Sequence, residues 1–159
     1  LSKPTYPGLL DQIAAGGLPA HTSLLENAKK EAGEEASIPS EILDRNLRAA
    51  GAVSYRYAAR RGLSTKTLCV FDLELPADLV PLNGDGEVDS FVLMPVEEAV
   101  QSLRAELYRW KPNSALVMLD FAMRRGYVSA DDPEYIAVAH DLRSYSASSR
   151  SSVEALSER

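Results

Sequence analysis

Apolar and polar residues alternate in two neighbouring stretches. Val53, Tyr55, Tyr57 and Ala59 are separated by Ser54, Arg56 and Ala58, and Thr67, Cys69, Phe71, Leu73 and Leu75 repeat the same period of two until Pro76 ends it. A hairpin of two half-buried strands follows, turning at Arg60-Arg61-Gly62. Upstream the period changes. Leu25, Ala28, Ala32 and Ala36 recur at helical spacing, Ser23 and Glu26 stand three apart as in a capping box, and Pro39 closes the segment, which predicts a helix to Ala36. Three of its four apolar positions are alanine, so this helix can lie close against a sheet. Leu10 to Ala15 reads as a strand running into the Gly16-Gly17 loop, Ser40 to Leu47 as a second short helix, "LNGDGEV" as a loop, and Val88 to Met94 as another strand. Helices are expected from Pro95 to about Tyr108, from Pro112 to Arg125 with Gly126 just beyond, and from Pro133 to Leu142. Strands in the first half with helices interleaved and then added define an α/β (α+β) sandwich with its sheet between helices.

Composition narrows the class. At 159 residues and 45% hydrophobic the chain can bury one stable core, so residues 1–143 are read as a single domain. Residues 144–159, rich in serine and poor in large apolar side chains, read as a tail or linker. The run Ala115-Leu116-Val117-Met118-Leu119 is far short of the roughly 18 apolar residues of a membrane span, so no membrane partner is expected. Cys69 is the only cysteine, which excludes an internal disulfide and a cysteine zinc site and favours a reducing, cytoplasmic setting. A formal charge of -6 argues against nucleic acid, whose phosphates need a basic surface. The chain opens on Leu1 without a signal-peptide core and is read as a fragment or processed product.

The chemistry concentrates on the first long helix. At 100° per residue Glu31 and Glu35 lie about 40° apart, and Glu34 lies about 60° to the other side of Glu31. Three carboxylates on one stripe repel unless a cation neutralises them, and magnesium, a hard ion that prefers oxygen ligands and keeps waters, suits such a stripe. Magnesium there could hold a diphosphate and activate a water, with a free carboxylate taking the proton. The competing reading is a solvated helix face, since Glu26 with Lys30 and Lys30 with Glu34 stand at i,i+4 spacing. Spacing alone favours that second reading, and the glycine loop shifts the balance.

From Gly16 to Ile38 the chain resembles the Nudix hydrolase signature, Gx5Ex7REUxEExGU with U a bulky aliphatic. Gly16 matches the first glycine, Glu31 the glutamate after the arginine, Glu34 and Glu35 the paired glutamates, and Ile38 the last aliphatic. Thr22, Lys30, Ala32 and Ser37 depart from it, replacing the first glutamate, the arginine, the larger aliphatic and the last glycine. The resemblance implies Glu31, Glu34 and Glu35 as metal ligands, with the backbone carbonyl of Ala15 as a further one. It implies Mg2+ or Mn2+ as cofactor and a Nudix-type α/β/α sandwich with a mixed central sheet. It also implies that the missing ion pair between the first glutamate and the arginine loosens the loop. The flanks "KPTYPGLLDQIAAGG", "EEASIP" and "WKPNSALVMLDFAMRRGYV" are similar to a Nudix subgroup of thiamine diphosphate metabolism. That similarity implies hydrolysis of oxidised (oxy and oxo) thiamine diphosphates to the monophosphate and phosphate. In some members the domain precedes a thiamine pyrophosphokinase domain, and the tail would suit a linker to such a fusion partner. Two alternatives stay open, namely another nucleoside diphosphate substrate such as ADP-ribose, and a Nudix-fold binding domain without turnover.

Several further residues are candidates. Glu87, after "NGDG", resembles the additional carboxylate that many Nudix enzymes aim at the metals and is the candidate base or ligand, with Asp85 or Asp89 able to take its place. His21 in the loop could touch phosphate, although a solvated histidine is the simpler role. Trp110, Tyr108 and Asn113 could meet a cationic heterocycle through an aromatic face and an amide, against a core role for the aromatics. Arg60 and Arg61 could meet phosphate or simply be solvated. Cys69 reads as core, with no nucleophilic role.

Overall fold

The computed structural model describes residues 6–59 and 62–144; the Arg60-Arg61 turn and the serine-rich stretch from 145 on lie outside the described residues. Helix α1, Leu24–Ala36, begins where expected: Ser23 Oγ accepts the Glu26 N–H at 3.2 Å and Glu26 Oε2 accepts the Ser23 N–H at 3.1 Å. The Ser23 side chain first, and its backbone second, hold the Glu26 carboxyl below its ordinary range. Glu26 therefore caps the helix and does not form the expected pair with Lys30. The buried face of α1 also differs. Ala32 and Ala36 are buried as expected, but Leu25 is 43% exposed and Asn27 is buried in its stead.

Ser37 ends α1 in the left-handed conformation, φ 52°, and its N–H donates to the Ala32 carbonyl. That is the position where the Nudix signature carries glycine, and a Cβ there is disfavoured by about 1 kcal/mol or more. Ser37→Gly is expected to raise unfolding stability by roughly 0.5–1 kcal/mol in urea titration; an unchanged or lowered midpoint would contradict the strain.

Helix α2, Ser40–Asn46, leads directly into strand β1, Leu47–Ala59, and strand β2 spans Gly62–Leu73. Only two residues separate the strands, so they pair antiparallel. Ser54 and Thr67 are equally far from the hairpin tip and bring their hydroxyls to 3.4 Å, which fixes the register. The predicted hairpin is thus present, with β1 six residues longer at its start than the Val53 alternation indicated. On β2 the expected face holds only in part: Leu73 and Leu75 pack on the core, but Cys69 is exposed and Val70, of the other parity, is buried. The tyrosines of β1 stack at 5.9 Å, with Tyr57 40% exposed.

Two stretches expected as strands carry no ladder. Leu10–Ala15 holds one isolated bridge residue, and Val88–Met94 is irregular chain. Local side-chain bonds engage the backbone inside the first stretch and in the loop just ahead of the second. Asp11 Oδ1 takes the Gln12 N–H at 2.9 Å, and Asn83 Oδ1 and Asp85 Oδ1 take the Gly86 and Glu87 N–H groups at 2.7 and 2.9 Å. Among the described residues the sheet therefore has two strands. Helix α3 covers Val96–Ala105, a 3-10 turn follows at Leu107–Arg109, α4 covers Pro112–Arg124, and α5 covers Tyr135–Asp141. These helices sit where the periodicity placed them, and Gly126 has φ 77° just past α4.

The chain divides into two compact units, one of Leu1–Gly51 with Cys69–Leu93, the other of Ala52–Leu68 with Met94–Arg159. In the first, Ala32, Ala36, Ile38 and Leu43 form the core, and Ile13, Leu73 and Phe91 pack on it. In the second, α3 packs on α4, and the Ser54 N–H donates to the Leu142 carbonyl at 3.0 Å, joining β1 to the end of α5.

Candidate metal and active site

The carboxylate stripe lies in the first unit and is held from three directions. The first is the glycine loop. A Cβ on Gly16 would stand 2.1 Å from Glu31 Cδ and 2.3 and 2.4 Å from its oxygens, so the Glu31 carboxylate occupies the space a side chain would take. Any larger residue at 16 must push that carboxylate away. The second is the chain just before that loop, where the Ala15 N–H donates to Glu35 Oε2 at 3.1 Å. Ala15 is therefore beside the stripe, engaged through its N–H.

The third is the loop after β2. Leu82 N–H donates to the Ala36 carbonyl at 3.1 Å and Gly84 N–H to the Glu35 carbonyl at 3.4 Å, supplying donors to the open C-terminal end of α1. A Cβ on Gly84 would stand 2.0 Å from the Glu34 carbonyl oxygen, which is backbone and cannot yield. The same docking brings the Asp85 and Glu87 loop onto the helix that carries the stripe. Glu87 and Asp85 are both exposed on that loop.

Charge within the stripe is already partly balanced. Lys30 Nζ lies 2.7 Å from Glu34 Oε2 and 3.4 Å from Glu31 Oε1. The Glu34 carboxylate chiefly, and Glu31 after it, hold the Lys30 ammonium above its ordinary range. The expected Lys30–Glu34 pair is present, so the solvated-face reading and the metal reading describe the same residues. Among the described residues no group of three His, Cys, Asp or Glu side chains stands converged for a metal ion. A cage is not what magnesium needs, since it is commonly held by one or two carboxylates and completed by water and substrate phosphate. The donors are all carboxylate oxygens, the Gly16 cradle seats one of them, and Asn27, one turn before Glu31 on the same stripe, is buried with Oδ1 unbonded. An acceptor of that kind suits the O–H of a bound water. The residues present fit a hard divalent ion.

The other candidates fall elsewhere. His21 is exposed in the loop before α1 with φ 65°. In the second unit Trp110 is 8% exposed and its Nε1 donates to Ser102 Oγ at 2.9 Å, while Asn113 is half-buried in the first turn of α4 and Tyr108 is exposed. That hydrogen bond gives the indole a packing role within its unit. Arg60 and Arg61 lie outside the described residues. Three contributors went unread in the sequence, namely Gly84, Asn27 and the contact of Lys30 with Glu31. The signals were the i,i+4 spacing of Asn27 and Glu31 and the first glycine of "NGDG".

Fold and site together define an α/β domain with a helix-borne carboxylate stripe suited to a hard cation. No protein-family model matches the chain. It is 43% identical over 143 residues to Nudix hydrolase 24, chloroplastic, of Arabidopsis thaliana, and 43% identical over 143 residues to Nudix hydrolase 20, chloroplastic, of the same plant. Each match takes in 90% of this chain and 39% or 38% of the relative. An uncharacterized protein of Saccharomyces cerevisiae is 37% identical over 147 residues, covering 85% of this chain and 42% of that protein. The chain thus spans about two fifths of the length of the curated relatives it matches. The two plant relatives support placing it in the Nudix family and support the Nudix fold. The word "chloroplastic" in their names lends nothing to the cytoplasmic setting expected from the cysteine. Among the described residues no helix is long and apolar enough to cross a membrane.

Proposed function

We propose that this chain is a magnesium-dependent Nudix pyrophosphohydrolase that cleaves oxidised thiamine diphosphates to the monophosphate and phosphate. In this reading residues 1–143 form one Nudix domain, an α/β/α sandwich with a mixed central sheet. The observation that carries it is the seating of Glu31 against Gly16, on a stripe whose other members, Glu34 and Glu35, are joined to Lys30 and to the Ala15 N–H. Glu31, Glu34 and Glu35 would hold the ion. When bound, it would neutralise diphosphate charge and lower the pKa of an attacking water. Glu35, fixed at one oxygen by the Ala15 N–H, is the first candidate base; Glu87, on the docked loop, is the second. The substrate class rests on the flanking segments and not on the site, because the stripe addresses only a diphosphate. The exposed Cys69 thiol is compatible with a reducing cytoplasm.

A substrate panel decides the reading. With Mg2+ present, phosphate release from oxothiamine diphosphate is expected to exceed that from thiamine diphosphate and from ADP-ribose. Faster turnover of ADP-ribose would keep the hydrolase and replace the substrate. Tight calorimetric binding of the panel without product would leave a binding domain.

A further inference from the structure

The residue at position 30 is the one the signature gives as arginine, and its usual acidic partner is replaced by Thr22, so Lys30 has no carboxylate to brace in the loop. Its ammonium turns instead to Glu34 at 2.7 Å and Glu31 at 3.4 Å. The neighbouring Lys29 is committed elsewhere, to Asp44 Oδ1 at 2.5 Å on α2. We propose that Lys30 is the stand-in cation of the carboxylate stripe: it holds Glu31 and Glu34 apart from solvent counter-ions until a divalent ion displaces it, and the freed ammonium then grips the diphosphate. This rests on the metal reading of the stripe and adds to it a competitor built into the chain.

The geometry favours easy exchange. Lys30 and Glu34 are about half exposed, with side-chain exposures of 51% and 54%, so their contact is screened by water and weak. Glu31 is far less exposed, at 17%, and is held against Gly16 whether or not the ammonium is present. Lys30 can therefore leave without unseating the ligand beneath it. A lysine stem has four rotatable bonds and a point-like charge with three donors, which lets it exchange a carboxylate for a phosphate oxygen within one helical turn. The consequence is ordered loading, in which the free stripe binds divalent ions less tightly than three carboxylates would alone, and diphosphate regains the difference.

Calorimetry with Mn2+ on the full chain tests this, together with methylenediphosphonate as an uncleavable diphosphate. Lys30→Met is expected to bind Mn2+ about three- to tenfold more tightly than the parent. At saturating Mn2+ it is expected to bind methylenediphosphonate about tenfold more weakly. Lys30→Arg, which keeps the charge, should stay near the parent in both. Equal or weaker Mn2+ binding by Lys30→Met overturns the proposal, since a mere brace would lose ligand geometry when removed. If Lys30→Met fails to fold, Lys30→Gln makes the same comparison. Glu34→Gln separates the two levels: if it binds Mn2+ as the parent does, the metal reading fails and Lys30 with it. If Glu34→Gln weakens Mn2+ binding and Lys30→Met does not change it, only the role of Lys30 is lost.

Discussion

Glu35→Gln is expected to lower kcat/KM for Mg2+-dependent phosphate release by about 10²- to 10⁴-fold while leaving the fold intact. The amide keeps the shape of the side chain and retains a carbonyl oxygen that can accept the Ala15 N–H. What it loses is the negative charge and the capacity to take a proton, and both belong to the proposed chemistry. Glu34→Gln should fall by orders of magnitude as well, although there the loss includes release of Lys30. Glu26→Gln supplies the control. It makes the same change of charge on the same helix, but at the cap, where glutamine still closes the box with Ser23. Near-normal rates for Glu26→Gln alongside collapsed rates for Glu34→Gln and Glu35→Gln would tie the loss to the stripe and not to the charge of the helix. Near-normal rates in all three, measured by phosphate release with matched thermal melts, would end the mechanism that places catalysis on the stripe.

Local signals were the legible ones. The cap at Ser23, the close of α1 before Pro39, the α2 segment, Pro112 at the start of α4 and Gly126 after its end are set by residues within a few positions of one another, and the structure places them as expected. The stripe was legible for the same reason, because helical spacing alone puts Glu31, Glu34 and Glu35 within one turn. Strands fared worse. Leu10–Ala15 and Val88–Met94 had the right composition, but a ladder depends on distant chain; Asp11 offers the backbone a nearer partner in the first, and Asn83 and Asp85 do so in the loop just ahead of the second. On β2 the inward side held at Leu73 and failed at Cys69, since both parities hold apolar residues and only packing selects Val70 over Cys69. The Gly84 contact with the Glu34 carbonyl joins residues fifty positions apart and leaves no trace beyond a glycine in a turn.

Asp120→Ala is expected to cost about 3 kcal/mol or more of unfolding free energy, read as a lowered urea midpoint, because it strips the buried member of an ion-pair group. Asp120 is 1% exposed inside an otherwise apolar stretch of α4, "LVMLDFAM". Its Oδ2 accepts the Arg124 Nε–H at 2.8 Å one turn on, and its Oδ1 accepts from Arg143 just after α5. Arg124 and Arg125 also lie over the Phe121 ring, at 5.7 and 5.4 Å from its centroid. Removing the carboxylate takes from the Arg124 guanidinium, 23% exposed, its bond to Asp120 and cuts the tie between α4 and the end of α5. Arg143→Ala should cost far less, about 1 kcal/mol, since Arg143 is 45% exposed and Asp120 keeps Arg124. The two single variants and the double variant form a cycle: a double variant no worse than Asp120→Ala would show that Arg143 acts only through Asp120, whereas additive losses would assign Arg143 an independent role in the packing of α5.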